Sequence, residues 1–152
     1  MDTINLVLET VGAEATGAVV IYINGHNLVD LVREVELPFA AQEGHPDIAG
    51  KYVGLPAAHL LLPSRHLLGH PAPLYESRGK TQVLGCECGE AGCWPLFVRI
   101  RLDDKTVTWN DFEQPHRSSR SAASHWKYEQ LGPFTFDTQQ YEAAIIGPRT
   151  GG

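Results

Sequence analysis

The run LFVRIRLDDKTVTWNDF, residues 96–112, constrains the fold more than any other stretch of the chain. Leu96, Val98, Ile100 and Leu102 alternate with Phe97, Arg99 and Arg101. After Asp103-Asp104-Lys105 the alternation resumes, with Val107 and Trp109 against Thr106 and Thr108. A period of two places the two sets on opposite faces of an extended strand. Two such runs joined by a short polar turn form a hairpin, so the chain must build an antiparallel sheet with an apolar face to cover. A second hairpin is predicted at the start, where Ile4, Leu6 and Leu8 share one face and Val19, Ile21 and Ile23 share another. The segment GAEATG between them is a loop of five or six residues, too short to return the chain except antiparallel.

The period changes after Asn24-Gly25. Leu28, Leu31, Val32 and Val35 fall on one stripe of an amphipathic helix. Asn27 is its predicted N-cap, Asp30 complements the first turn, and Pro38 is expected to end it. From 38 to 80 six prolines exclude any long regular element. The segment reads as an irregular, Pro-rich insertion with at most a short helix at RHLLG, capped by Ser64. KTQVLG restores a strand, RSSRSAAS (117–124) reads as a mobile loop, and HWKYEQL reads as a final strand. A closing helix is capped by Asp137 with Gln140 as its capping-box partner. It buries Tyr141, Ala144 and Ile145, stops at Gly147-Pro148, and leaves RTGG to fray. The fold class that follows is α+β: an antiparallel sheet of about five or six strands with two helices packed on one face. A chain of 152 residues suits a single domain spanning 1–152.

Chemistry concentrates in LGCECGEAGCW, which holds all three cysteines between two predicted strands. Gly85, Gly89 and Gly92 allow a tight turn that directs Cys86, Cys88 and Cys93 toward one point. Thiolates so placed could bind zinc, which takes four sulfur or nitrogen ligands in a tetrahedron. Three sulfurs require a fourth ligand, and His116 is the first choice. Counted back from the DDK turn, Glu113 lies opposite Trp94, which sets His116 beside the loop's base. His59, His66 and His70 are alternatives, the last two with ligand-like spacing. Inert buried thiols and thiol redox chemistry are the competing readings. For redox work Cys88 and Cys93 make the better pair, since a bridge across one residue is strained. No Lys or Arg adjoins them in sequence, whereas Glu87 and Glu90 do, a charge setting that disfavours a thiolate.

LGCECGEAGCWPLFVRI, VTWNDFEQPHR and LGPFTFDTQQYEAAI together resemble a family of small uncharacterised bacterial proteins that share a GCxCGxxGCWP segment. The resemblance covers roughly residues 80–146 and implies a domain assignment without an activity. A weaker likeness is to the zinc-binding SEC-C motif, although Trp94 stands where that motif has a further ligand.

WNDFEQPHR gathers Asp111, Glu113, His116 and Arg117, the residue types of general acid–base catalysis. No nucleophile motif accompanies them, and an ion-paired surface loop is the commoner use of such a group. The three tryptophans read as core, and His26 and His45 as exposed turn residues. A net charge of −6 argues against nucleic acid, with only Arg117 and Arg120 as a small local basic patch. No apolar run approaches the roughly 18 residues of a membrane helix, and the start lacks a secretory pattern. The expectation is a cytoplasmic binding or interaction module rather than an enzyme. Its cysteine hairpin could hold zinc, and a protein partner or a second copy would dock on the irregular 38–80 segment and a sheet face. A metal-assisted hydrolase or thiol-redox protein using the cysteine loop together with Asp111, Glu113 and His116 is the alternative.

Overall fold

A computed structural model describes residues 1–11, 14–87, 93–121, 124–146 and 149–150, with the backbone alone for 11, 14–16, 149 and 150. It is an α+β structure. Ten strands are described: β1 Ile4–Val11, β2 Glu14–Ile23, β3 His26–Asn27, β4 Val53–Gly54, β5 Glu76–Ser77, β6 Lys80–Gly85, β7 Leu96–Leu102, β8 Thr106–Glu113, β9 Phe134–Asp137 and β10 Arg149–Thr150. The helices are α1 Leu28–Gln42, α2 Ala57–Leu60 and α3 Thr138–Ile146. None is long and apolar enough to cross a membrane.

The strands divide into two sheets. One runs β10-β1-β2-β3; the other is antiparallel and runs β4-β6-β7-β8-β9, with β5 also on β6. The six-stranded antiparallel sheet is the one expected, and the N-terminal hairpin, which pairs with itself and not with the central strands, forms a second sheet. The sheets still meet at both margins. Val19 N–H donates to the Leu55 carbonyl at 2.9 Å, and Asp2 N–H to the Thr135 carbonyl at 2.9 Å. Gly54 makes the first junction feasible: a Cβ there would lie 2.0 Å from the Val19 carbonyl oxygen. Ile4, Leu6, Val19, Ile21 and Ile23 all face the core, as their alternation requires.

Several expectations are corrected. Pairing in the first hairpin reaches Val11 opposite Glu14, well inside the expected loop. Helix α1 begins as predicted, with Asn27 Oδ1 accepting from Val29 N–H at 2.9 Å, but it runs through Pro38 to Gln42. Proline removes one helical donor and crowds the preceding turn. Tertiary burial of Ala40 and anchoring of Glu43 hold the last turn in place regardless. The Ser64 helix shrinks to one 3-10 turn, His66–Leu68. HWKYEQL forms no strand; Trp126 and Tyr128 turn inward from irregular backbone, and β9 takes the sheet edge. Asp137 does cap α3, accepting from Gln140 N–H at 3.1 Å. The Gln140 side chain, expected to complete a capping box, instead spans to Ile4, accepting from its N–H at 3.1 Å and donating to its carbonyl at 2.6 Å. Arg149–Thr150 pairs parallel with Val7–Leu8 instead of fraying, while the stop at 147–148 lies outside the described residues.

Strand β8 carries a bulge. Phe97 pairs with Glu113 and Arg99 with Asn110, so Asp111 and Phe112 together oppose Val98. Asp111 has φ +56°, a left-handed conformation typical of a bulge residue. Inward-facing positions consequently switch from Val107 and Trp109 to Phe112 and Gln114. Trp109, fully buried, donates from Nε1 to the Tyr141 hydroxyl at 3.1 Å, which donates to the Leu67 carbonyl at 2.5 Å. That chain ties β8, α3 and the 66–68 turn through satisfied polar tips on a large apolar body.

Candidate functional site

Strands β6 and β7 pair through Leu84 opposite Leu96, so the chain leaves and re-enters the sheet at neighbouring points. Cys86 follows the first exit and Cys93 precedes the second. Their side chains converge: Cys86 Sγ lies 3.3 Å from Cys93 Sγ. Cys86 is half-buried and Cys93 exposed. Cys88 lies outside the described residues. Among the described residues, no group of three or more His, Cys, Asp or Glu side chains is arranged to hold a metal ion.

The base of this hairpin is rigidly built. Trp94 stacks on His116, with ring centroids 5.7 Å apart and planes 5° from parallel, and meets Trp126 edge-on at 5.9 Å. Sequence counting sets Trp94 opposite Glu113; the bulge sets Phe97 there instead and carries His116 level with Trp94. His116 therefore reaches the expected place by a different register. The Arg117 guanidinium lies over both indoles, 5.2 Å from the Trp94 centroid and 5.5 Å from that of Trp126. Each such contact is worth roughly 0.5–2 kcal/mol, more where water is excluded. Arg117 Nε donates to both oxygens of Glu43, at 3.1 and 3.0 Å, and Trp126 Nε1 donates to Glu43 Oε2 at 2.6 Å. Ser124 donates its hydroxyl to the same carboxylate. Burial opposes the charged form of Glu43, but the donors Ser124, Arg117 and Trp126 outweigh it and hold its pKa below the usual value.

A second polar chain enters from the core. Fully buried Gln114 donates from Nε2 to the Pro95 carbonyl at 3.0 Å and to the Tyr52 hydroxyl at 3.1 Å, while its Oε1 accepts from His116 N–H at 3.1 Å. Tyr52 in turn donates to Glu36 Oε2 at 2.5 Å, as does Tyr128 at 2.5 Å, and Gly50 N–H donates to Oε1 at 2.8 Å. Burial raises the Glu36 pKa, with these three donors pulling the other way. Helix α1 thus grips the base of the cysteine hairpin twice, through Glu36 and through Glu43.

Beside the sulfur pair opens a cavity of about 270 Å³ lined by Ile48, Lys51, Cys86, Glu87, Trp94 and Arg117. The two cations come from residues far from the cysteines in sequence. Local reading found only Glu87 and Glu90 as charged neighbours; the fold adds Lys51 and Arg117 to the charges around Cys86.

The acid–base group is dispersed. Glu113 is held between Lys80 at 2.8 Å and Arg120 at 2.7 Å. Those two cations and the Lys80 hydrogen bond overcome its burial and keep its pKa low. Asp111 faces Arg99 at 3.4 Å and lines a different hollow, of about 490 Å³, with Asn110, Lys127 and Glu129. The expected basic patch is likewise spent, since Arg117 and Arg120 each pair with a glutamate. Of the alternative histidines, His66 is buried with Nε2 2.5 Å from the Gln82 carbonyl, and its burial lowers its pKa. His59 packs on Tyr75 at 4.9 Å, and His70 is exposed.

Sequence reasoning missed Glu36, Glu43, Lys51, Tyr52 and Gln114. For Gln114 a local signal existed: it stands before Pro115, where an N-cap acceptor is useful. The others are brought in only by tertiary contact. No protein-family model, curated protein or solved structure matches the chain.

Proposed function

We propose that the chain is a cytoplasmic binding module whose cysteine hairpin is cross-linked by zinc. The observation that carries this reading is the 3.3 Å approach of Cys86 Sγ and Cys93 Sγ. Zinc–sulfur bonds of about 2.3 Å set two tetrahedral ligands about 3.8 Å apart, so the pair need only part by about half an ångström to share one ion. Cys88 joins on its spacing alone, and His116, which does not group with the two sulfurs where it stacks on Trp94, would turn off that ring to complete the set. The ion would supply no reaction; it would lock the turn between β6 and β7. The 38–80 segment, where Val53, Leu62 and Leu74 stand exposed, is the surface for a partner protein or a second copy. A hydrolase reading gains nothing from Asp111 and Glu113, whose carboxylates are engaged by Arg99, Lys80 and Arg120.

Metal analysis of protein purified without added zinc tests the proposal. Stoichiometric zinc, with thiols that resist alkylation until a chelator is added, is the expected result. Thiols that react at once in protein devoid of metal would refute it. His116→Ala should lower zinc affinity while keeping the far-UV and near-UV dichroism of the parent.

A further inference from the structure

The same two sulfur atoms carry a second chemistry that does not depend on zinc. We propose that Cys86 and Cys93 act as a dithiol that reduces a small anionic disulfide seated in the adjoining cavity.

Three observations carry this. The sulfurs are 3.3 Å apart, so a bond between them needs only a small further approach. Cys86 lines the cavity, whereas Cys93 stands exposed at its side, giving the pair unequal positions. The cavity is amphipathic: Ile48 and the Trp94 indole offer apolar walls, Lys51 offers the cation for a ligand's carboxylate, and Glu87 is the one anion on the lining. Arg117 is held by Glu43 and by two indoles, so it gives the wall a fixed guanidinium plane whose charge is already balanced. Lys51 is exposed and has room to move toward a bound anion.

Two exchange steps follow. The Cys86 thiol loses its proton to water, and the thiolate attacks one sulfur of the bound disulfide. A Cys86–ligand disulfide forms, and the first small thiolate leaves and takes up a proton. Cys93, deprotonated in the same way, then attacks Cys86 Sγ and expels the second small thiol. The protein dithiol is oxidised by two electrons to a Cys86–Cys93 disulfide, and the ligand is reduced to two thiols. Any zinc held by the pair is released in the process.

The test uses oxidised glutathione as the anionic probe and cystamine as its cationic counterpart, on protein as purified and again with chelator. Peptide mapping by mass spectrometry should find a Cys86–Cys93 bridge, with release of two equivalents of reduced glutathione. Cys93→Ser should stop the reaction at glutathione attached to Cys86. The parent should react several-fold faster with oxidised glutathione than with cystamine, and Lys51→Gln should narrow that ratio. A bridge that always includes Cys88, glutathione trapped on Cys93, no preference between the probes, or inertness with and without chelator would each overturn the proposal. None of these outcomes bears on whether zinc is present, which the metal analysis decides separately.

Discussion

Helix α1 and its C-terminal cap carry two inward-facing glutamates, Glu36 and Glu43, seven residues apart, and they are treated in opposite ways. Glu36 is sealed and receives only neutral donors, from Tyr52, Tyr128 and Gly50. Glu43 sits at the helix end and receives Arg117 with Ser124 and Trp126. Their pKa values move apart accordingly, up for Glu36 and down for Glu43. Three good hydrogen bonds do not repay full desolvation, whereas a cation added at a partly open site does. The sealed site fastens the core to the hairpin base, and the open one shapes the cavity wall.

Glu36→Ala should produce the largest effect, since it strands three buried donors. A loss of roughly 3 kcal/mol or more in urea unfolding is expected, at about 1 kcal/mol or above per orphaned group. Arg117→Ala comes next, at about 1.5–3 kcal/mol, because a charge-assisted pair and two indole contacts go together. It should also loosen Trp94, seen as red-shifted tryptophan emission. If both variants cost the same, the contrast between sealed and open sites fails.

The pH dependence sharpens the comparison. With a folded pKa above the ordinary 4.5, Glu36 binds its proton more tightly in the native state. Its contribution is complete below 4.5 and is lost as pH rises through the folded value. Glu43, with a folded pKa below 4.5, contributes fully above that value and loses its contribution as pH falls through the folded one. The cost of Glu36→Gln should therefore shrink as pH rises, and that of Glu43→Gln should shrink as pH falls. Parallel slopes in a series of denaturant melts would contradict the assignment. The smallest effect belongs to the exposed pair Asp30–Arg33 on the same helix, 2.8 Å apart. Asp30→Ala should cost about 0.5 kcal/mol or less.

What the sequence made legible was whatever depends on nearest neighbours. The alternation around Ile100 and Val107, the Asn27 cap and the Asp137 cap each follow from side chains a few positions apart. Placement of Cys86 and Cys93 in a glycine-bearing turn between two strands was legible for the same reason. Pro38 misled because its local penalty is outweighed by the burial of Ala40 and the fastening of Glu43, neither of which is local. Lys51 and Arg117 arrive beside Cys86 only through the fold, so the charge around that thiol was misjudged. The acid–base reading of Asp111, Glu113 and His116 gains no support from the geometry, on a different count. Proximity in sequence was taken for proximity in space, and the bulge sends Asp111 to another hollow.

That bulge works as a phase shifter. Upstream of Asp111 odd-numbered side chains look inward, and downstream even-numbered ones do, so Trp109 and Phe112 are both kept dry. Were the same residues paired in an unbroken ladder, the extra one would no longer be absorbed and everything beyond it would roll half a pleat. Gln114 would swing away from the interior, and the imidazole would slide off its indole. The sulfur chemistry would thus be detuned from a site that never touches a sulfur atom, by an error of spacing alone.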